Sequence, residues 1–246
     1  MNIKIEFSYD GRNYFGLQKQ KDKKTVQGEI ENALFCLFKE KTNINLAGRT
    51  DRGVSATNMV ANFETNYQIK PEKISYALNV ILPDDIRILK SEEVPKDFHA
   101  RHSAKRKTYC YALYENQFKL PLFIFESQIK TKLDFKKMKQ ALKHLLGKQD
   151  FSSFVTNSKQ YESCVRTIFK TKVLKRKICG VNHYYFYFTG DGFMYNQVRT
   201  MVGTVLLAGL KKIKPKEIKK IIKSKNRNFA GKVMPSEGLT LLNVEY

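Results

Sequence analysis

The segment MNIKIEFSYDG, residues 1–11, gives the first firm structural signal in the chain. Apolar residues occupy every second position in it, at Ile3, Ile5, Phe7 and Tyr9. This period of two is typical of a strand that buries one face against a core. A helix is predicted next, over residues 26–39, with Thr25 as its N-cap. The chain therefore begins as a mixed structure of strand and helix.

Strands and helices continue to the end of the chain without forming regular strand-helix-strand repeats. Further strands are predicted at residues 59–64, 86–94, 108–114, 166–174, 183–188 and 239–246. Further helices are predicted from Pro71 onward, at 134–146 with Gly147 as the stop, at 195–207 and at 215–224. This order predicts an α+β fold with helices packed on a largely antiparallel sheet. A boundary before the 108–114 strand divides the chain into residues 1–104 and 105–246.

The charge of the chain indicates the kind of partner it binds. Lys and Arg number 45 against 23 Asp and Glu, a formal net charge of +22 over 246 residues. This excess is far larger than solubility requires of a domain of this size, so the expected partner is a polyanion. Basic chains also bind anionic membranes, but that mode needs an apolar anchor or a basic amphipathic helix.

Neither a membrane segment nor a disulfide framework is predicted. The longest apolar stretch, residues 202–210, is too short to span a bilayer, and the first ten residues alternate like a strand instead of forming a signal peptide. We therefore expect a cytoplasmic protein. The four cysteines show no C-x-x-C spacing, which predicts reduced thiols and no zinc site: Cys36, Cys110, Cys164 and Cys179.

The motif GRTDRGVSA, residues 48–56, places one carboxylate between two guanidinium groups. Gly48 and Gly53, which flank the charged residues, allow the backbone to approach a ligand closely. Arg49 and Arg52 are expected to keep Asp51 ionised by opposite-charge proximity. Such a site suits an anionic nucleophile that works beside phosphates. A surface turn in which Asp51 pairs only with its neighbours fits the motif equally well.

A second motif, FHARHSAKRKTYCY at residues 98–111, interleaves basic and aromatic side chains. This mixture suits phosphate contact and base stacking, although a solvated basic face that runs into a core strand gives the same pattern. The basic positions are Arg101, Lys105, Arg106 and Lys107. Alternation puts Tyr109 and Tyr111 on the same side of the predicted strand, where one of them could be a core residue.

Two further observations concern ligands and charge. His99 and His102 do not predict a metal site, because no clustered Cys, His or carboxylate completes a ligand set. Arg199 lies in an otherwise apolar predicted helix, where a charge usually indicates a buried partner or a ligand. If Arg199 points inward, an acid must meet it, and Asp51 is a candidate.

Taken together, the motifs resemble the bacterial tRNA pseudouridine synthase A family over essentially the whole chain. Eight blocks occur in the family's order: YDGRNYFGLQKQ (9–20), TVQGEIENAL (25–34), GRTDRGVSA (48–56), NVILPDDI (79–86), FHARHSAKRKTYCY (98–111), GKQDFSSF (147–154), GFMYNQVRTMVG (192–203) and PSEGLTLLNVEY (235–246). Two positions depart from the pattern. Leu17 replaces a tryptophan that the family often has, and Ser55 stands where histidine is common, which puts local packing and RNA contacts in doubt.

The resemblance implies an isomerase that converts uridine to pseudouridine at positions 38, 39 and 40 of the tRNA anticodon arm, without metal, redox or nucleotide cofactor. It implies a pseudouridine synthase fold of two similar α+β halves with a joined sheet and a cleft between them. It also implies a homodimer. The first half would carry the catalytic loop, and the second half the substrate tyrosine and an ion-pairing arginine.

Site roles follow from the same resemblance. Asp51 matches the catalytic aspartate, and whether it attacks C1′, adds to the base or removes a ribose proton stays open. Arg199 matches the arginine that pairs with it. Tyr109 matches the tyrosine that packs on the target uracil, and Arg49 matches the residue that fills the space left by a flipped base. A noncatalytic RNA-binding or RNA-chaperone protein is the alternative, but an acid beside phosphates would only weaken its binding.

Overall fold

The computed structural model describes all 246 residues, and the chain divides into two compact units. The first unit contains residues 1–105 together with 240–246, and the second contains residues 106–239. The division after residue 105 lies one residue from the boundary expected from the sequence. The C-terminal residues 240–246 belong to the first unit, whereas the sequence-based division puts them in the second half.

The regular elements are ten strands and five α-helices. The strands are β1 (Asn2–Tyr9), β2 (Asn45–Leu46), β3 (Ser55–Glu64), β4 (Ile86–Val94), β5 (Arg106–Glu115), β6 (Ser127–Ile129), β7 (Gly147–Asp150), β8 (Val165–Ile178), β9 (Val181–Gly190) and β10 (Leu239–Glu245). The helices are α1 (Val26–Phe38), α2 (Pro71–Ile81), α3 (Phe135–Lys143), α4 (Gln197–Gly209) and α5 (Glu217–Ser224). An α+β fold is confirmed.

In the first unit the strand order is β4-β1-β3-β10, and β2 pairs with β3. β1 is antiparallel to both β3 and β4, whereas β10 runs parallel to β3. The alternation of β1 is confirmed, since Ile3, Ile5 and Phe7 are fully buried. On the opposite face Lys4 forms ion pairs with Glu6 and Glu92 at 3.1 Å and 2.5 Å. One face of this strand thus belongs to the core and the other carries charge.

The helices of the first unit begin where the sequence places them. Thr25 caps α1, because its hydroxyl accepts a hydrogen bond from the Gly28 N–H at 3.2 Å. Pro71 is the first residue of α2, where its missing N–H costs nothing. Buried residues of α1 recur at helical spacing, including Ile30 and Leu34. Both helices therefore bury one apolar face.

In the second unit the strand order is β5-β9-β8-β7, with every neighbouring pair antiparallel. β6 adds a short parallel pairing to β5. The largely antiparallel character expected from the sequence is confirmed within each unit. The core of this unit is aromatic, and its fully buried side chains include Tyr111, Tyr114, Tyr184, Phe186 and Phe188.

The predicted boundaries of α3, α4 and α5 differ from the observed ones by a few residues. α3 ends at Lys143, because His144 and Leu145 donate to carbonyls three residues back, and Gly147 (φ +94°) opens β7 instead of ending the helix. α4 begins at Gln197, because Asn196 adopts the left-handed conformation with φ +61°. α5 begins at Glu217, two residues after Pro215.

The four cysteines are free thiols, as expected. Cys36 on α1 and Cys179 in the turn between β8 and β9 are exposed, whereas Cys110 and Cys164 are buried. Burial raises the pKa of the Cys110 thiol to about 12, so this cysteine stays protonated at neutral pH. None of the helices combines the length and hydropathy that crossing a membrane requires.

Candidate active site

Asp51 is the first residue of a tight turn that leads into β3. The Val54 N–H donates to the Asp51 carbonyl at 3.1 Å, which closes the turn. Gly53, at the third position, has φ +79°, a conformation that other residues rarely adopt. Asp51 itself is half-buried. The glycine predicted to shape this loop therefore does so by setting the direction of the chain immediately after the carboxylate.

The segment Gly11–Leu17 lies directly against this turn. A Cβ atom on Gly11 would come within 1.9 Å of the Val54 carbonyl oxygen. Gly16 has φ +109°, and a Cβ atom there would meet the Thr50 carbonyl oxygen at 3.1 Å. The Leu17 N–H donates to that same Thr50 oxygen at 3.2 Å. Two glycines thus allow one loop to frame the other at backbone distance.

Hydroxyl groups complete the frame. The Tyr9 hydroxyl and the Thr50 Oγ1 form a hydrogen bond of 2.7 Å, and the Gly11 N–H donates to the Ser55 Oγ at 3.0 Å. Ser55 and Leu17 are the two positions that depart from the family pattern. Ser55 is a buried acceptor for a backbone N–H, and the Leu17 side chain is fully buried. Both departures therefore belong to the packing of the loop.

Asp85, which precedes β4, anchors the framing segment from a third part of the chain. The hydroxyl of Tyr14 donates to the Asp85 Oδ1, and the Asn13 side-chain amide donates to its Oδ2 at 3.3 Å. The Asp10 N–H donates to the Asp85 carbonyl at 2.9 Å. Burial, together with the Asp85 carboxylate, raises the pKa of Tyr14, so its hydroxyl remains a donor.

The two arginines beside Asp51 lie at the surface of the first unit. Arg49 and Arg52 are both exposed, and neither forms an ion pair with Asp51. The Arg52 guanidinium instead lies over the Phe15 ring, with its carbon 4.4 Å from the ring centroid. The effect of these two charges on the ionisation of Asp51 stays a prediction.

Tyr109 lies on β5, where only 8% of it is exposed. Its ring meets that of Phe193 edge to face, at 5.3 Å between centroids. Tyr111, two residues on, is fully buried, and its hydroxyl contacts the Ser127 Oγ at 2.6 Å and the Pro235 carbonyl at 2.9 Å. Of the two tyrosines, Tyr111 is therefore the core residue, and Tyr109 retains a small exposed edge.

Arg199 is held in a fixed position on α4. Its Nε donates to the Met234 carbonyl at 2.6 Å, and its Nη1 donates to the Asn196 Oδ1 at 2.9 Å. A Cβ atom on Gly203, one turn further along, would come within 2.0 Å of the Lys232 carbonyl oxygen. This close approach brings the segment that contains Met234 onto the helix. The predicted pairing of Arg199 with Asp51 stays a prediction.

Of the four basic residues of the second motif, two precede β5 and two are its first residues. Arg101, Lys105 and Arg106 are exposed, and Lys107 is half-buried. The Arg106 guanidinium carbon lies 4.8 Å from the centroid of the Phe169 ring, a cation–π contact. Three of the four basic residues are thus at the surface while the strand continues into the core, and contact of this segment with phosphates or bases stays a prediction.

His99 and His102 contact each other without forming a metal site. Their ring centroids are 4.4 Å apart, and the His99 Nδ1 accepts a hydrogen bond from the Arg101 N–H at 3.1 Å. A ring nitrogen that accepts from the backbone is not available as a metal ligand. No group of three or more His, Cys, Asp or Glu side chains is arranged to hold a metal ion.

Comparison with protein families identifies the class. Residues 6–103 and 141–246 match the family model described as tRNA pseudouridine synthase, and these ranges include Asp51 and Arg199. The chain therefore belongs to the tRNA pseudouridine synthase family. The resemblance drawn from the eight sequence blocks is confirmed.

Individual relatives agree along the full length. The chain is 46% identical to tRNA pseudouridine synthase A of Acetivibrio thermocellus over 246 residues, which cover 100% of this chain and 99% of the relative. It is 42% identical to the protein of the same name from Clostridium acetobutylicum, with the same coverage. Among solved structures, the chain matches one chain of an H/ACA RNP bound to a substrate RNA containing 2'-deoxyuridine. The match covers 83% of this chain and 52% of that chain, with 13% sequence identity and a TM-score of 0.35.

Proposed function

We propose that the protein isomerises uridine to pseudouridine in tRNA, at positions 38, 39 and 40 of the anticodon arm. The observation that carries this proposal is the family match over the full chain, combined with a carboxylate on a rigidly framed turn. In the reaction the bond between N1 and C1′ breaks and a bond between C5 and C1′ forms. C5 loses a proton and N1 gains one, so the atoms balance without an oxidant, a reductant or a nucleotide.

Asp51 is the proposed catalytic residue of this reaction. A carboxylate can attack C1′, add to the base or remove a ribose proton, and each of these routes requires the anion. A turn closed by Gly53 and framed by Gly11 and Gly16 restricts where the carboxylate can move. Such restriction favours catalysis, because a reacting group that is already in place does not need to be ordered during the reaction.

The proposed substrate contacts come from Tyr109, Arg199 and Arg49. The Tyr109 ring is oriented by Phe193, which suits a side chain that packs on the target uracil. Arg199 is oriented by hydrogen bonds to two neutral acceptors, and its proposed role is to keep Asp51 ionised. Arg49 is exposed and long enough to fill the space left by a flipped base.

The basic segment Arg101, Lys105, Arg106 and Lys107 is proposed to contact the tRNA backbone. A net charge of +22 supports a polyanionic partner, and Arg106 is already oriented by the Phe169 ring. We further propose that the protein acts as a cytoplasmic homodimer, as the resemblance to the family implies. Sedimentation of the purified protein would test the dimer directly.

The decisive experiment is the substitution Asp51→Asn, assayed on unmodified tRNA with pseudouridine mapped at nucleotide resolution. The amide keeps the shape of the carboxylate and removes its charge, so we expect turnover to fall below detection while tRNA binding is retained. The wild-type protein should modify only positions 38, 39 and 40. Asp97→Asn, which removes an exposed carboxylate outside the site, is the matched control and should be fully active.

This experiment also separates the enzyme from a noncatalytic RNA-binding protein. If the protein only binds RNA, tRNA incubated with the wild-type protein and tRNA incubated with the Asp51→Asn protein should both contain no new pseudouridine. Substantial pseudouridine formation by well-purified Asp51→Asn protein would instead remove Asp51 from the catalytic role while leaving the enzyme in place.

A further inference from the structure

Two cationic side chains, Lys23 and Arg52, lie over the ring of Phe15. The Lys23 Nζ lies 4.8 Å from the ring centroid, and the Arg52 guanidinium carbon lies 4.4 Å from the same centroid. The ring is 38% exposed, so the cluster is at the surface of the first unit. Both cations are close enough to be attracted electrostatically by the face of the ring.

The backbone places both cations, so the cluster does not depend on long side chains meeting by chance. The Phe15 N–H donates to the Lys24 carbonyl, and the Gln20 side-chain amide donates to the Phe15 carbonyl, each at 2.9 Å. These bonds hold the turn that precedes α1 beside Phe15. On the other side, a Cβ atom on Gly16 would lie 3.5 Å from the Arg52 N, which shows how closely the Asp51 turn approaches.

The two cations have no acidic partner. Other basic residues of the same region do, since Arg12 pairs with Asp10 at 2.6 Å and Lys19 pairs with Glu31 at 2.8 Å. Lys23 and Arg52 form no ion pair, and their charges repel each other. An anion bound between them would relieve this repulsion.

We propose that Phe15, Lys23 and Arg52 form a site for one backbone phosphate of the RNA substrate, beside the nucleotide that reacts. Arg52 directly follows Asp51, and consecutive Cα atoms are about 3.8 Å apart, so the phosphate belongs to the target nucleotide or to a neighbour. The planar guanidinium can donate two parallel hydrogen bonds to phosphate oxygens, and Lys23 adds a point charge. This inference rests on the proposed function.

A phosphate fits this cluster better than a base does. Stacking a base on Phe15 would displace cations that already lie on the ring and would leave both charges unneutralised. A phosphate needs no displacement, because the ring only orients the cations. Phe15 is thus a positioning residue, and Arg52 and Lys23 are the ligands.

The test uses an anticodon-arm RNA in which single phosphates near the target uridine are replaced, one at a time, by uncharged methylphosphonates. With wild-type protein we expect one replacement, adjacent to the target uridine, to weaken binding by about three- to tenfold. Arg52→Gln should weaken binding of the unmodified RNA by a similar factor and be insensitive to that replacement. It should also reduce the slope of log affinity against log salt by about one.

Further variants separate charge from geometry. Arg52→Lys should retain the salt slope but lose part of the affinity, because ammonium cannot donate a bidentate pair. Phe15→Leu should weaken binding at the same phosphate while both cations remain. Lys41→Gln removes an exposed lysine on the loop after α1, away from this cluster, and is the control that should leave sensitivity to every replacement unchanged.

The proposal is overturned if Arg52→Gln keeps the salt slope and the methylphosphonate sensitivity of the wild type. It is equally overturned if no single phosphate beside the target uridine matters to the wild type. RNA affinity is measured separately from pseudouridine formation, so these results do not depend on whether pseudouridine forms. A wild-type protein that binds the arm at this phosphate yet forms no pseudouridine would contradict the proposed function alone.

Discussion

Asp51 and Arg199 are positioned in two different ways. Asp51 lies on a turn, and its place is set by a second loop that contacts it through glycines and hydroxyl groups. Arg199 lies on a helix, and its guanidinium is set by hydrogen bonds to Met234 and Asn196. In both units a glycine brings backbone segments into contact, at Gly11 in the first and at Gly203 in the second.

The difference lies in what can move. Both frames restrict motion, but a turn held by contacts with another loop shifts at a smaller cost than a helix in the core of its unit, which cannot shift without breaking its own packing. Changes to the frame in the first unit should therefore act mainly on activity. Changes to the frame in the second unit should act mainly on stability.

The largest expected effects come from adding one methyl group at each close contact. Gly203→Ala places a Cβ atom 2.0 Å from the Lys232 oxygen, and we expect a loss of unfolding free energy of about 3 kcal/mol. Gly11→Ala meets the Val54 oxygen at 1.9 Å, but here the loops can separate, so we expect a stability loss of about 1–2 kcal/mol and a severe loss of turnover. Denaturant unfolding and single-turnover rates measure the two effects.

Gly192→Ala provides the matched control for both variants. The nearest atoms to its added Cβ atom belong to the Arg166 side chain, at 3.9 Å, which is ordinary contact. Equal losses of stability in Gly11→Ala and Gly203→Ala, with equal losses of activity, would contradict the contrast between a movable loop and a fixed helix.

The next effect concerns Tyr109 on β5. Because a strand positions this residue, we expect its place to be unaffected by changes in the loops that frame Asp51. Tyr109→Phe keeps the ring, and we expect normal tRNA affinity with much slower turnover if the hydroxyl assists removal of the C5 proton. Tyr109→Leu also deletes the stacking face, worth about 1–3 kcal/mol per base. Melting temperature, affinity and single-turnover rate on the same preparations separate these roles from simple packing against Phe193.

If Tyr109 is only a packing residue, both variants should melt at lower temperature and lose activity in proportion to unfolding. Full activity in Tyr109→Leu would exclude the residue from the site.

Ser55→Ala tests the loop frame more gently. It leaves the buried Gly11 N–H without its acceptor, and we expect a destabilisation of about 1–2 kcal/mol with a measurable fall in turnover. Ser127→Ala in the second unit is the comparison, because the Tyr111 hydroxyl keeps the Pro235 carbonyl as its acceptor. A larger stability loss for Ser127→Ala than for Ser55→Ala would argue against this account of the frame.

The smallest expected effect is a loss of unfolding free energy at low pH. Burial acts against ionisation of Asp10, but hydrogen bonds from Arg12 outweigh it and lower the pKa of the carboxyl. The stabilisation is therefore present above the unfolded pKa of about 3.9 and is lost as the pH falls through the lower folded value. After allowance for solvent screening we expect about 0.5 kcal/mol.

Asp10→Asn should remove this part of the acid dependence, as followed by unfolding between pH 5 and 2. In the second unit Ser152 and Lys225 lower the pKa of Asp150 in the same direction, against the effect of its burial. Asp150→Asn should therefore also make the unfolding free energy fall less steeply as the pH is lowered. A pH dependence that is unchanged in both variants would show that neither carboxylate contributes.

The sequence predicted those parts of the fold that depend on contacts between residues close together in the chain. The alternation of β1 and the Thr25 cap of α1 depend on neighbouring residues only, and both are confirmed. Strands of two to four residues, such as β2 and β7, are too short to show a period. The start of α4 was missed because Asn196 is held by Thr156, 40 residues away, at 2.8 Å.

The same limit applies to the site. The motif around Asp51 identified the carboxylate, because its residues are contiguous. The frame made by Gly11 and Gly16, and the turn of Arg52 onto Phe15, depend on contacts between separate segments and could not be predicted from spacing. In the sequence, a glycine in a loop predicts only freedom of the backbone, whereas in the structure Gly11 and Gly16 mark places where two segments of the chain touch.

The distribution of the cysteines has a practical consequence for spectroscopy. Of the four thiols only Cys36 and Cys179 are exposed, and one lies in each unit. A maleimide dye pair should therefore attach at two known points without any engineering, while Cys110 and Cys164 stay protected until the protein unfolds. Energy transfer between the dyes would report whether the distance between the labelled Cys36 and Cys179 changes when tRNA is added.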